Sequence, residues 1–270
     1  MRLLRFPRRM RRRALAFALI AATVVVVDHH RTPVRHAAPC HVMPVRGSGS
    51  AGYDLTQAQA SNATTIAAVA KRLGLPNHAA TVGLAAALLE SGLRNLNHGD
   101  RDSLGLFQQR PSQGWGTPAQ ILTPRYAATV FLQHLARVPN WQTLPVTVAA
   151  QRVQRSALPN GYAQEEGEAR ALASALTGEV AAGMTCRFTI PASLPLTRLS
   201  TTAALELGAP SIGPPLAPAR GWTVALWLVG HAVDFRVTSV SFGGMQWTAS
   251  RGKWVADPAA TSVVRYATAV

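Results

Sequence analysis

The chain has 270 residues, of which 48% are hydrophobic, and it carries 27 Lys plus Arg against 12 Asp plus Glu, a net charge of +15. A chain of this length and apolar content can bury a core in one or two domains, which excludes wholesale disorder. Two cysteines and a single long apolar run exclude a disulfide-dense miniprotein and a channel with many spans.

The N-terminus has the pattern of an export segment. Residues 1–13 contain seven arginines and no acid, and residues 14–27 are apolar apart from Thr23. This pattern predicts a charged n-region and an h-region, which would hold the arginines inside and bring the rest of the chain outside the cytoplasm. Because no small-x-small cleavage motif follows, we expect a signal anchor in the cell membrane. The alternative is a cleaved signal peptide and a secreted protein.

Half of the positive charge excess therefore concerns membrane orientation. Residues 47–183 carry ten basic against eight acidic residues, and no element of that region gathers Lys and Arg. A nucleic-acid-binding surface would need such a cluster, so we expect no nucleic-acid partner.

Composition divides the chain into five segments. We expect a basic n-region and signal segment over 1–27, a linker over 28–52, a helical domain over 53–186, a Pro-rich linker over 187–218 and a small α+β module over 219–270. Cys40 and Cys186 bracket the helical domain. In an exported chain an even number of cysteines indicates pairing, so we expect one disulfide, with two free buried thiols as the alternative.

The segment between the cysteines has helical periodicity. Helices are predicted over Thr56–Leu73, His78–Leu93, Tyr126–Leu135, Pro145–Ala157 and Glu165–Leu176, and no strand pattern stands out. The fold class is therefore a mainly α domain followed by a small α+β module.

Glu90 has an unusual position in the second predicted helix. It lies beside the apolar face formed by Val82, Ala86, Leu89 and Leu93, close to the C-terminal end of the helix. Partial burial and the negative end of the helix dipole both disfavour an ionised carboxylate there, so Glu90 could retain its proton and serve as a general acid. The alternative is a solvent-exposed carboxylate paired with Arg94.

Two motifs follow each other at a defined spacing. Glu90-Ser91 ends a helix, and Gly105-Leu106-Phe107-Gln108-Gln109 follows after a polar loop, with Gln108 eighteen residues after Glu90. This order resembles the lysozyme-like superfamily, in particular lytic transglycosylases and goose-type lysozymes. Residues 55–186, with the run from Asp100 to Gly116, also resemble exported actinobacterial proteins of uncharacterised type that have such a domain.

The resemblance implies a role for each matching residue. Glu90 would protonate the glycosidic oxygen, Ser91 would orient it, and the element with Gln108 and Gln109 would contact the sugar. Lytic transglycosylases usually have an Ala-Tyr-Asn element in a later helix, whose tyrosine supports the glutamate, but this chain has Ala-Ala-Gln at 149–151. Either Gln151, Gln154 or Tyr126 replaces that tyrosine, or catalysis is weakened or lost.

The number of carboxylates determines the expected mechanism. Glycosidases ordinarily use two, and Asp100 and Asp102 are the nearby candidates for the second. We favour a structural role for both, in ion pairs with neighbouring arginines or in a turn. With one carboxylate the substrate supplies the nucleophile, and the resemblance implies a 1,6-anhydro product from peptidoglycan, with hydrolysis as the alternative. No cofactor and no metal are expected. Trp115 is a candidate for stacking on a sugar, or else packs in the core.

In the C-terminal segment, residues 219–270, the sequence pattern predicts a helix after Gly221 and a strand over Val237–Phe242. It also predicts a turn at Gly243-Gly244 and a return strand over Met245–Thr248. It contains four of the six tryptophans, which indicate carbohydrate binding or a compact core. We favour the core.

The function expected from the whole sequence is cleavage of peptidoglycan glycan strands at the cell envelope, with Glu90 as general acid. One alternative is a catalytically inactive wall-binding or scaffold protein on the same fold. A third is a metal-binding envelope protein that would use the histidines near Cys40, which are His29, His30, His36 and His41. The sequence does not identify protein partners.

Overall fold

A computed structural model of the protein describes residues 39–45, 47, 52–156, 160–190, 199–209 and 211–269. The predicted signal segment, together with His29, His30 and His36, lies outside these residues. Within the described part of the chain, no helix has both the length and the apolar character needed to cross a bilayer.

The described residues form a mainly helical protein with a small β-sheet module after it, which confirms the coarse fold class. The α-helices are α1 Gln57–Arg72, α2 Asn77–Ser91, α3 Pro118–Ile121, α4 Pro124–Ala136, α5 Val146–Gln154, α6 Tyr162–Leu176, α7 Leu199–Leu207 and α8 Pro218–Gly230. Helices α1, α2, α4, α5 and α6 correspond to the five predicted between the cysteines.

Local sequence signals explain where the first two helices begin and end. Thr56 and Gln59 form a capping box at the start of α1, in which Thr56 Oγ1 accepts from Gln59 N and Gln59 Oε1 accepts from Thr56 N. Helix α2 ends at Gly92, whose φ of 61° lies in the left-handed region that glycine adopts without steric cost.

Helix α2 is the central helix of the protein. Residues Ala79–Ala87 are buried on every side, where α6, α5 and α1 pack around them. After this buried stretch, the residues from Leu88 to Glu90 are partly exposed. A helix buried all round must be apolar all round, and the first hydrophilic side chain after the core is therefore the carboxylate of Glu90.

A three-stranded antiparallel sheet joins the two ends of the helical region. Strands β1 Cys40–Val42, β2 Tyr53–Leu55 and β3 Met184–Cys186 lie in the order β2-β1-β3, and Cys40 is directly opposite Cys186. The two cysteines form a disulfide, as predicted. The expectation of a segment without strands is wrong, because three-residue strands are too short to show the period-2 alternation that identifies a strand.

The second sheet is antiparallel and belongs to the C-terminal segment. Its strands are β4 Val237–Phe242, β5 Met245–Thr248, β6 Trp254–Ala256 and β7 Arg265–Thr268, in the order β6-β5-β4-β7. The hairpin at Gly243-Gly244 and both flanking strands match the prediction. All four C-terminal tryptophans are buried core residues, which are Trp222, Trp227, Trp247 and Trp254.

The C-terminal segment packs directly on the helical region. Helix α8 lies against α1, and their approach is so close that a Cβ added at Gly230 would be 2.6 Å from Thr64 Cγ2. The indole N–H groups of Trp247 and Trp254 donate to the carbonyl oxygens of Cys186 and Met184 in β3, at 2.8 and 3.0 Å. The two parts therefore share one hydrophobic core.

A buried polar cluster joins α1 to the C-terminal segment. His231 Nδ1 is 2.9 Å from Asp234 Oδ2, and its Nε2 is 3.6 Å from Glu206 Oε2. Glu206 Oε2 also accepts hydrogen bonds from Thr65 and from the Trp227 indole. Burial opposes protonation of His231, but the hydrogen bonds and charges of the two carboxylates outweigh it and raise its pKa to about 9.

Candidate active site

Glu90 lies where the buried helix α2 reaches the surface. Its side chain is half-buried, and burial raises its pKa above the ordinary value, while hydrogen bonds from Tyr162 and Gln154 act in the opposite direction. Arg94 does not form the alternative ion pair: its Nε donates to Ser91 O at 2.9 Å, and no ion pair of the described residues joins it to Glu90. Glu90 therefore has the environment of a carboxyl group that retains its proton above the usual pH.

The hydroxyl of Tyr162 donates a hydrogen bond of 2.7 Å to Glu90 Oε1. Tyr162 is the first residue of α6, and its side chain is fully buried. Burial, followed by the charge of Glu90, raises the pKa of Tyr162, so the hydroxyl stays protonated and remains a donor. This tyrosine fixes the position of the carboxylate from the side of α6.

Gln154 supports Glu90 from a second helix. It is the last residue of α5, and its Nε2 donates to Phe107 O at 2.8 Å, while its side chain also hydrogen-bonds Glu90. An amide NH2 has two hydrogens and can serve both partners. Gln154 thus connects the carboxylate with the Gly105–Gln109 loop.

Ser91 connects the same two motifs. Its hydroxyl oxygen lies 2.8 Å from Leu106 O and 3.0 Å from Ala87 O, and the side chain is buried. The described contacts of Ser91 go to the helix and to the loop, so it holds the loop against the end of α2.

The loop after α2 is stabilised by its own backbone and side chains. Gln108 has a φ of 45°, and its Nε2 lies 3.3 Å from both His98 O and Gly105 O. A Cβ at Gly99 would collide with the Gln108 amide, so this close approach requires glycine. Gln109 is buried and donates to Ala127 O of α4. Gln108 is half-buried at the surface, whereas Gln109 supports the loop from inside.

The two aspartates of the loop have surface partners. Asp102 Oδ1 accepts from Arg110 Nε at 2.8 Å and its Oδ2 accepts from Ser112 N, and these contacts hold the pKa of Asp102 well below its usual range. Asp100 is exposed, 4.0 Å from Arg101. The favoured structural role of Asp102 in the turn agrees with these contacts.

A polar groove of about 710 Å³ opens beside this site. Gln154, which hydrogen-bonds Glu90, is also part of the groove wall, so the two features share a residue. Three arginines and no acid belong to the wall. The wall includes Trp115, His134, Arg137, Arg152, Gln154 and Arg155.

Trp115 is half-buried in the groove wall, tilted against His134 with ring centroids 4.4 Å apart. Tyr126 donates to Trp115 O at 3.3 Å, and its ring packs against Gly116. Tyr126 therefore holds the Trp115 loop, and among the described residues it makes no hydrogen bond to Glu90. Burial and then the charge of Arg137 lower the pKa of His134, which favours its neutral form.

Gln151 is connected to Glu90 through two other residues, Ser156 and Tyr162. Its Nε2 donates to Ser156 O at 2.8 Å, and the Ser156 side chain in turn hydrogen-bonds Tyr162. Of the three residues expected to replace the missing tyrosine, the structure brings only Gln154 into contact with Glu90. Sequence reasoning missed Tyr162, because the predicted helix began at residue 165 and no local signal connects positions 72 residues apart.

Cys40 and His41 form no metal site with other residues that the structure describes. Cys40 is in the disulfide, and His41 Nδ1 lies 2.8 Å from Asp54 Oδ1. No group of three or more His, Cys, Asp or Glu side chains in the described ranges has a metal-binding arrangement.

No protein-family model matches the chain, and no curated protein matches it either.

Proposed function

We propose that the protein cleaves the glycan strands of peptidoglycan in the manner of a lytic transglycosylase, with Glu90 as the general acid. The observation that carries this proposal is the environment of Glu90: a half-buried carboxyl group with a raised pKa, held by Tyr162 and Gln154 beside a polar groove. A general acid needs a proton at the working pH and a fixed direction, and this environment supplies both.

The proposed reaction uses one carboxyl group twice. Glu90 gives its proton to the glycosidic oxygen as the bond from that oxygen to C1 of N-acetylmuramic acid breaks. The 6-hydroxyl of the same sugar then bonds to C1 and returns its proton to the Glu90 carboxylate, which leaves a 1,6-anhydro end. Asp102 has Arg110 and Ser112 as partners and takes no part in these steps. Attack by water in place of the 6-hydroxyl would give hydrolysis.

The alternative, a wall-binding protein without catalysis, rests on the absence of a tyrosine at position 150. Tyr162 supplies a hydroxyl to Glu90 from another helix, so the glutamate does not lack such support. A location at the cell membrane, or outside the cell after cleavage, stays a prediction from the N-terminal sequence.

The test compares wild type with Glu90→Gln for the release of soluble muropeptides from insoluble peptidoglycan, analysed by mass spectrometry. We expect release with anhydro ends by the wild type and a loss of about a thousandfold in Glu90→Gln, since proton transfer from a positioned side chain contributes about 10²–10⁴. Glu168→Gln is the matched control, because Glu168 is a second half-buried glutamate with a raised pKa, caused by burial and by Glu165. Equal release by Glu90→Gln and wild type would exclude the mechanism. Binding without release by either protein would support the inactive alternative.

A further inference from the structure

The groove beside Glu90 has a charge that the cleavage of a sugar bond does not require. Arg137, Arg152 and Arg155 all belong to its wall, and no Asp or Glu does. The helical region as a whole is close to neutral, so this groove concentrates much of its positive charge in one place.

The three arginines lie at the C-terminal ends of two helices. Arg137 caps the C-terminal end of α4, while Arg152 lies in the last turn of α5 and Arg155 caps its end. All three are exposed, and none takes part in an ion pair with another described residue. Among the described residues, Arg152 Nη1 donates to the backbone oxygen of Pro139, at 3.3 Å. Their charges are therefore available to a ligand.

Burial, and then the charge of Arg137, lower the pKa of His134 in the groove wall. Arg155 is a non-glycine residue with a φ of 53°, in the left-handed region that L side chains seldom adopt. Arg137, Arg152 and Arg155 line one groove that has no acid in its wall. Guanidinium groups bind carboxylates with paired hydrogen bonds, so these side chains can bind an anion there.

From these observations we propose that the groove binds the carboxylates of the stem peptides that peptidoglycan carries on N-acetylmuramic acid. This inference rests on the proposed function. Gln154 belongs to the groove and also contacts Glu90, so a strand held for cleavage at Glu90 would have its neighbouring substituents at the groove. The stem peptide brings carboxylates to N-acetylmuramic acid, and Trp115 adds an apolar surface for its side chains.

The test measures binding of the full-length protein, in detergent, to three forms of insoluble peptidoglycan: intact, freed of stem peptides by an amidase, and freed of phosphodiester-linked polymers by hydrofluoric acid. The variant is the triple change Arg137→Gln, Arg152→Gln and Arg155→Gln. The matched control is Arg251→Gln, Lys253→Gln and Arg265→Gln, which removes three exposed charges from the C-terminal segment.

We expect the groove variant to bind intact peptidoglycan about tenfold or more weakly than wild type, which corresponds to about 1.4 kcal/mol. The difference should persist after hydrofluoric acid and vanish on peptide-free glycan, and the control should bind as wild type does. A triple Arg-to-Lys variant at the groove positions should regain part of the affinity if it is folded. Equal binding by groove variant and wild type would overturn the inference, as would a difference that hydrofluoric acid abolishes, because the anion would then be a phosphodiester.

The same measurements are made in the Glu90→Gln background, where bound strands are not cut. Failure of Glu90→Gln to reduce muropeptide release would count against the proposed function, while the binding difference between groove variant and control would still decide the inference.

Discussion

The hydroxyl of Tyr162 donates to Glu90 Oε1 across 72 residues of sequence, at a distance of 2.7 Å. This contact joins the first residue of α6 to the end of α2, and it has two effects on the carboxyl group. It fixes the direction of the side chain, and it lowers the pKa that burial raises. A variant without this hydroxyl would lose both effects, which leads to the first prediction.

Tyr162→Phe should reduce muropeptide release about tenfold, the effect of about 1.4 kcal/mol of lost stabilisation in the transition state. It should also move the alkaline limb of the pH–rate profile to higher pH, because the hydrogen bond that lowers the pKa of Glu90 is gone. Tyr126→Phe is the control, since its hydroxyl contacts Trp115 O. An unchanged profile in Tyr162→Phe would contradict the role given to this residue.

Glu90→Gln should make the protein more stable at neutral pH. A carboxyl group with a raised pKa is costly to keep ionised in the folded state, so stability falls as pH rises through the unfolded-state value of 4.5 towards the folded-state value. The neutral amide avoids this cost and still accepts from Tyr162. We expect a gain of about 1 kcal/mol, a few degrees in Tm, at pH 7 and little gain at pH 3. The measurement is thermal unfolding at both pH values, and a loss of stability at pH 7 would contradict the argument.

The His231 cluster should make stability depend on pH in the alkaline range. The pKa of His231 is about 9 in the folded protein against 6.5 when unfolded, so the folded state binds more protons between these values. The contribution of His231 to the free energy of unfolding is fully present below pH 6.5. It is lost as pH rises to about 9, by at most about 1.4 kcal/mol per pH unit.

The groups facing His231 explain which variant to use. Asp234 and Glu206 raise its pKa, whereas Ser61 and Thr65 contribute neutral hydroxyls and Trp227 packs on the ring. Glu206→Gln should therefore lower the pKa of His231 and flatten the decline in urea-unfolding free energy between pH 6.5 and 9. Parallel curves for wild type and variant would count against this assignment.

Removing the disulfide should destabilise the protein without changing the site. Cys40 and Cys186 are 146 positions apart, and in the chain-entropy model a loop of this length contributes up to about 5 kcal/mol. The double variant Cys40→Ala and Cys186→Ala should lose a large part of this amount in urea unfolding. Wild type unfolded with and without reductant provides the comparison, and equal midpoints would show that the link does not constrain the unfolded chain.

Asp102→Asn should leave muropeptide release within about threefold of wild type, because this carboxylate is engaged with Arg110 and Ser112 N. Its lowered pKa means that its contribution to stability is present above the ordinary value of 3.8 and is lost on acidification below it. A loss of release as large as that of Glu90→Gln, in a protein of unchanged Tm, would indicate a second catalytic carboxylate.

Much of the fold follows from local patterns in the sequence. The capping box at Thr56, the glycine at 92 and the Gly243-Gly244 turn each set a boundary through contacts within a few residues. Glu90 could also be found this way, since its position beside an apolar helix face is a local property. The strands of the first sheet could not, because each has three residues.

The support of the site depends on long-range packing instead. Tyr162 contacts Glu90 only because α6 lies beside α2, and the sequence near residue 162 carries no sign of that neighbour. The groove has the same origin, since Arg137 and Arg152 come from different helices and meet at its wall.

The packing of α8 on α1 has a practical consequence for dissecting the protein. The Pro-rich stretch after Cys186 has the composition of a domain boundary, where a truncated protein would be made to end. A fragment that ends there would expose Ala60 and Thr64, which Gly230 covers in the full-length protein. It would also leave Thr65 without Glu206 and the carbonyl oxygens of β3 without their indole partners. Such a fragment is expected to aggregate on expression, and inactivity measured on it would reflect misfolding rather than chemistry.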